Sequence, residues 1–197
     1  EEFRNQLFQG GIKMAGERKN ISREMGDSRM EIIQGDITKQ KTEAIVNAAN
    51  KKLAPGGGVA GAIHRAAGPE LWKECKDLGG CETGEAKISR GHDLLATYVI
   101  HTVGPVYSNS PEDPELLEAS YRNSLELAKK KAIESISFPA LSTGAFGYPE
   151  EEAGEIAFNT IIEFLKGSSL PQLVRMVLYG ENSFDIHRRL LGEIFED

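Results

Sequence analysis

Cysteine is scarce: Cys75 and Cys81 are the two in 197 residues, with no apolar leader and no multi-cysteine framework beside them. Isolated cysteines of this kind read as reduced thiols rather than a disulfide scaffold. The four histidines show no ligand spacing with the thiols, so no metal and no cofactor are expected. Long apolar runs are missing too; none approaches the ~18 residues of a membrane span, and the chain reads as soluble and cytoplasmic. Basic residues are outnumbered, 23 Lys and Arg against 30 Asp and Glu, for a formal charge of -7. Duplex binding uses clustered cations that release counterions, so a broad nucleic-acid footprint is excluded and free RNA is not an expected partner. An acidic chain can still hold an anion locally through backbone N–H groups.

What is present is enough chain for one domain with a substantial core. Residues 1–29 are polar, mixed in charge and without sustained period, with glycines at Gly10, Gly11, Gly16 and Gly26. They read as an extension with a short helix around Phe3 to Phe8, either partly disordered or added for expression, since the chain opens on Glu1 with Met14, Met25 and Met30 inside. The domain is expected over residues 30–197. Short apolar runs at Met30–Gln34, Glu43–Asn47, Ala86–Ser89, Tyr98–Val103, Ser135–Pro139 and Leu173–Tyr179 predict strands. A helix is predicted from Glu150, where Ala153, Ile156, Ala157, Thr160, Ile161, Phe164 and Leu165 keep one face apolar and three glutamates suit the first turn. Phe184, His187, Leu190, Leu191, Ile194 and Phe195 form a second stripe, with Asn182 or Ser183 as cap candidates. Such alternation implies helices on both faces of a mixed, largely parallel sheet.

Two small-residue loops stand out, Gly56-Gly57-Gly58-Val59 and Ser142-Thr143-Gly144-Ala145-Phe146-Gly147-Tyr148, each followed by a helical pattern. Glycines let a backbone approach an anion closely, and helix N-termini offer free N–H groups to receive it. A phosphate-rich ligand gripped from two sides is the first hypothesis. Gly56 to Gly61 also satisfies G-x-G-x-x-G, but the context of a dinucleotide fold is wrong: residues 48–55 separate it from the preceding strand, and no strand ending in an acidic residue follows at the right distance. The Gly-Lys-Ser/Thr of a P-loop is absent as well.

Five motifs agree in order: Gln34-Gly35-Asp36-Ile37-Thr38, Ala44 to Asn50 (AIVNAAN), Gly56 to Gly68 (GGGVAGAIHRAAG), His101-Thr102-Val103-Gly104-Pro105 and Phe138 to Pro149 (FPALSTGAFGYP). From about Met30 to its C-terminus the chain resembles the macro domain family, and Cys81-Glu82-Thr83-Gly84-Glu85-Ala86 further resembles its MacroD-type branch. The resemblance implies a three-layer α/β/α fold and ADP-ribose as ligand. Members of that branch include enzymes that remove ADP-ribose from proteins and deacetylate O-acetyl-ADP-ribose, so the implied partners are ADP-ribose, O-acetyl-ADP-ribose and mono-ADP-ribosylated proteins. Residue by residue, it implies that Asp36 accepts from the adenine amino group, helped by the Ile37 backbone, and that the Tyr179 ring packs on the base. Asp36 also suits a turn or cap before Thr38, and Tyr179 and Phe146 taken alone suit a core. The diphosphate is expected between Gly57-Gly58-Val59 and Ser142, Thr143, Gly144, Ala145 and Phe146, with the Ser142 and Thr143 hydroxyls adding bonds and Phe146 beside the distal ribose. Asn50 matches the residue that binds distal ribose hydroxyls, while Asn47 is expected to hold nearby main chain.

One departure matters. Hydrolases of the branch commonly carry Asp where this chain has Ala60; that Asp, with the ligand's own phosphate, orients the attacking water. Alanine cannot accept a proton, and loss of a positioned base removes roughly 10²–10⁴ in rate. His64, four residues on, shares the helical face but is expected to pack or hydrogen-bond, leaving substrate-assisted attack by phosphate as the residual route to slow hydrolysis. Ala60 fits a natural alanine and an engineered replacement of Asp equally. The alternative to a weakened enzyme is a reader that binds ADP-ribose without turnover.

Overall fold

Alternation of apolar and polar residues builds the first ladder. In β2 (Ser28–Gln34), Met30 and Ile32 are fully buried. A two-residue turn joins it to β1 (Asn20–Met25), with Gly26 at φ +62°, the left-handed conformation that primed hairpin turns demand. These coordinates are a computed structural model, and they describe residues 20–196. The helix expected around Phe3 to Phe8 lies outside the described residues. Among the described residues the first strand begins at Asn20, and residue 30 lies inside β2.

The remaining strands are β3 (Ala44–Ala48), β4 (Ala86–Arg90), β5 (Tyr98–Thr102), β6 (Ser135–Phe138) and β7 (Leu173–Leu178), matching the predicted runs to within a residue or two. Their spatial order is β1-β2-β7-β6-β3-β5-β4. The five central strands are parallel, and antiparallel β1 and β4 close the two edges. Parallel neighbours need crossover helices, which cover both faces. On one face, α3 (Asp113–Lys130), α4 (Glu150–Lys166) and α5 (Glu181–Glu196) pack Tyr121, Phe158 and Phe184 against Met30, Val46, Phe138 and Met176. On the other, α1 (Gly58–Ala67) and α2 (Pro69–Asp77) press Ile63, Leu71 and Cys75 onto Ile45, Val99 and Val177.

Helix α4 begins at Glu150 behind Pro149, with Glu150, Glu151 and Glu152 against the positive end of its dipole. Helix α5 differs from expectation at its start. It begins at Glu181, and Phe184 N–H donates to the Gly180 carbonyl at 3.0 Å, so Asn182 and Ser183 lie within the first turn rather than at the cap. Because β2, β3, β5, β6 and β7 run the same way, the loops that follow them all emerge at one edge of the sheet. Ligands of open α/β sheets bind at that edge.

Candidate functional site

Five loops meet there, and the register says how closely. Gln34 pairs with Leu178 and Gly35 N–H donates to the Leu178 carbonyl at 2.9 Å, so Asp36 and Tyr179 leave adjacent strands side by side. Asp36 Oδ1 accepts from Thr38 N–H at 2.8 Å and Thr38 Oγ1 at 2.7 Å, capping a short 3-10 turn over Ile37–Lys39. The cap expected from sequence is therefore real, and it uses one carboxylate oxygen. Ile37 is buried against the α1/α2 face. Tyr179 is 86% exposed, which removes the core reading and leaves an aromatic face in solvent at the carboxyl edge.

The loop after β3 is organised by Asn50. Its Nδ2 donates to the Ala54 carbonyl at 2.8 Å and its Oδ1 accepts from Ala54 N–H at 3.1 Å, so the side chain closes the turn that leads into the glycines. Asn47 does something different from what its motif suggests. It is fully buried, and Nδ2 lies 3.1 Å from His101 Nδ1 on the neighbouring strand rather than on loop backbone. The reason is register: Asn47 and His101 are directly paired between β3 and β5, and both face the α1/α2 layer. His101 Nε2 in turn lies 2.8 Å from Ser89 Oγ and 3.7 Å from Cys75 Sγ. Burial drives the His101 pKa down to about 3, so the ring is neutral, accepting at Nδ1 from Asn47 and donating from Nε2 to Ser89.

Gly57 caps α1 and Gly58 opens it at φ +54°, a conformation that favours glycine. Side chains built at either would meet nothing within 4 Å, so the space beside these two glycines at the start of the helix is open. Val59 is half-buried behind them. A Cβ at Gly61 would run into the Gly56 carbonyl, so that glycine lets the loop lie directly on α1. Ala60 is buried, and a Cβ built at Gly56 would lie 3.5 Å from Asn50 Nδ2 and 4.0 Å from Ala60 Cβ. The structure thus brings Asn50 and Ala60 to one nook beside the glycine loop. His64 does not join them. It is buried, packs edge-on to Trp72 with centroids 6.3 Å apart, and burial lowers its pKa, opposed by the ring's interaction with the Leu53 carbonyl.

The opposing loop follows β6. Ser142 sits at φ +65°, its carbonyl accepting from Tyr148 N–H at 3.0 Å. Its Oγ is buried in the notch that Gly104 leaves and has no hydrogen-bond partner among the described residues. Thr143 Oγ1 donates to the Ala140 carbonyl at 3.0 Å. The Thr143 hydroxyl is therefore engaged by its own chain, while the Ser142 hydroxyl is buried against Gly104. Gly144 and Ala145 are exposed, and Phe146 is half-buried with its carbonyl taking Tyr107 N–H at 2.9 Å. The loop is anchored by a residue that sequence reading missed. The buried Tyr121 hydroxyl, from α3, receives Leu141 N–H at 3.1 Å and reaches the Pro139 carbonyl at 3.5 Å. In sequence Tyr121 is one more apolar position on a helical stripe.

Both cysteines are free and buried, with burial pushing each thiol up to about 11. Among the described residues, no group of His, Cys, Asp and Glu could hold a metal, and no helix is long and apolar enough to cross a membrane.

Comparison with known proteins places this arrangement. The profile of the Macro domain matches residues 46–157. The O-acetyl-ADP-ribose deacetylase of Salmonella newport is 49% identical over 86% of this chain and 98% of that protein. The ADP-ribose glycohydrolase MACROD2 of Xenopus laevis is 47% identical over 85% of this chain, which spans 41% of that longer protein. Among solved structures, the Oceanobacillus iheyensis macrodomain with ADP superposes with a TM-score of 0.89 at 45% identity, covering 91% of this chain and 98% of that one.

Proposed function

The chain belongs to the macro domain family, and on that footing we propose that it binds ADP-ribose across the carboxyl edge of its sheet and hydrolyses ADP-ribose esters there. The substrates are O-acetyl-ADP-ribose and mono-ADP-ribosylated acidic side chains. Water is consumed, and the products are ADP-ribose and the freed carboxylate. The observation that carries the reading is the pair of loops at the carboxyl edge: Gly57-Gly58-Val59 at the start of α1, with open space beside both glycines, and the self-tied turn Ser142 to Phe146. Fixed N–H dipoles suit a diphosphate and need no net positive charge.

At one end of the cleft the free valence of the Asp36 carboxylate accepts the adenine amino group while the Ile37 backbone assists. Tyr179 lays its exposed ring on the base. At the other end Asn50 keeps a second amide hydrogen and a second lone pair beyond its bonds to Ala54, enough to meet ribose hydroxyls. Phe146 flanks that ribose. The attacking water is held by the ligand's own phosphate, because Ala60 offers no base and His64 is turned into the core beside Trp72. Turnover is correspondingly slow. Ala60 is also the one observation that favours a second reading, a reader that retains ADP-ribose without turnover.

A direct comparison separates the two. This chain and its Ala60→Asp variant are incubated with an auto-ADP-ribosylated protein and with O-acetyl-ADP-ribose, and released ADP-ribose is followed. Slow release that rises roughly 10²–10⁴-fold in Ala60→Asp is expected. Equal, near-zero release from both would leave only the reader, and absence of ADP-ribose binding in calorimetry would remove both.

A further inference from the structure

Next to the proposed distal-ribose end a cleft of about 560 Å³ opens between the loop after β3, the carboxyl end of α2 and the loop leading into β4. Lys51, Lys52, Lys76 and Lys87 line it, against Glu82 and Glu85, so its walls are net positive in a chain of net charge -7. Two of the cations are engaged: Lys51 Nζ lies 2.6 Å from Glu82 Oε2, and Lys87 Nζ donates to the Leu78 carbonyl at 2.7 Å. Lys52 makes no ion pair among the described residues, and Lys76 lies over the Trp72 ring, 5.1 Å from its centroid, with no carboxylate partner there. We propose that this cleft docks an acidic segment of the polypeptide that carries the ADP-ribose.

The proposal rests on the ligand reading above and follows from connectivity. A protein-linked ADP-ribose continues from its distal ribose into polypeptide, so the chain of the modified protein must leave the site beside Asn50. The residues next in line are Lys51 and Lys52. Cysteine 81 N–H donates to the Lys51 carbonyl at 2.9 Å, which fixes this lysine-bearing turn onto the far wall of the cleft. Carboxylates flanking the modified side chain would meet the two uncompensated ammonium groups, and the Trp72 edge and lysine stems would cover their methylenes. A nucleic-acid strand fits less well. Glu82 and Glu85 share the same walls, and the single aromatic face is already occupied by Lys76.

The test uses a peptide carrying ADP-ribose through a hydrolysis-resistant linkage, with glutamates on either side, alongside the same peptide with glutamines and free ADP-ribose. Titrated against the chain at low salt, the glutamate peptide is expected to bind roughly three- to tenfold more tightly than the glutamine peptide. That gain disappears in Lys52→Glu/Lys76→Glu while the affinity for free ADP-ribose stays unchanged. It survives in Lys130→Glu/Lys131→Glu, the same charge change at the opposite end of the sheet. Equal affinity for the two peptides, or a gain that outlives Lys52→Glu/Lys76→Glu, overturns the proposal with ADP-ribose binding intact. Competition by a short single-stranded RNA, lost in the same variant, would assign the cleft to nucleic acid instead. Failure of free ADP-ribose to bind would instead remove the parent reading, and this one with it.

Discussion

Asp36 caps a turn of the fold and has a proposed role toward the ligand. Oδ1 caps the turn through Thr38, and the ligand reading draws on what remains of the carboxylate. The two roles separate by substitution. Asp36→Asn keeps a capping oxygen but sets a donor where adenine presents its own, so calorimetry should show ADP-ribose binding weakened at near-constant thermal stability. Asp36→Ala should lose both, with about 1 kcal/mol of stability gone with the cap and affinity down roughly ten- to a hundredfold for a charge-assisted bond. Tyr179 gives the converse case. At 86% exposure its ring contributes little to folding, so Tyr179→Ala should leave the melting temperature in place and cost about 1–3 kcal/mol of ADP-ribose binding, the usual worth of stacking on a base. A melting temperature that drops with the affinity would show the ring to be structural.

Between elements, the loop after β6 is tied to α3 through the Tyr121 hydroxyl. Tyr121 reaches both Pro139 and Leu141, and its burial raises its pKa and keeps the phenol protonated. Tyr121→Phe removes the bond and leaves Leu141 N–H buried without it, at a cost of about 1–3 kcal/mol. If Tyr121 positions the loop, ADP-ribose affinity falls in this variant while affinity for adenosine, which lacks phosphates, does not; equal losses would mark a purely structural residue. The same dependence on neighbours explains what was hidden in the sequence. Asn47 and Asn50 share one motif, with nearby main chain expected of Asn47 and the distal ribose of Asn50. Pairing of β3 with β5 sends Asn47 to His101, and only Asn50 is left to hold the turn. Strand β1 escaped detection because an edge strand buries one side only and half at that, leaving Ile21 and Met25 as its sole apolar positions.

Across the whole molecule, three buried histidines give the fold a direction of pH sensitivity. His64, His101 and His187 all have lowered pKa values, chiefly from burial, His101 to about 3. In the unfolded chain each takes up a proton near its ordinary 6.5, whereas the folded rings resist it. Stability is therefore complete above that value and declines as pH falls below it. Each ring that stays neutral in the fold removes about 1.4 kcal/mol per pH unit over that interval. Urea midpoints should be flat from pH 8 to about 7 and fall steadily toward pH 5. His101→Gln should make the fall shallower, although its midpoint at pH 7.5 is lowered by the lost bonds to Asn47 and Ser89. A midpoint that holds constant to pH 5 would contradict buried neutral rings. The acidic surplus belongs to this scale as well, since it makes the lysine-lined cleft an exception rather than a sample of the surface.

Taken alone, the sequence determined the kind of fold and the family, and through the family the ligand proposed. Strand and helix periods are local, so six of the seven strands and the start of α4 could be read from spacing. Glycine also carries its meaning locally, because a residue without a Cβ admits the positive φ found at Gly58. The tertiary structure decided which side chains face one another. Parallel strand order brought Asp36 to Tyr179 and drew Asn47 away to His101; the approach of two loops turned Ser142 Oγ onto Gly104; and the packing of α3 put the Tyr121 hydroxyl against the loop after β6. These are contacts between residues far apart in the chain, set by register and by close packing of layers, and a spacing pattern contains neither.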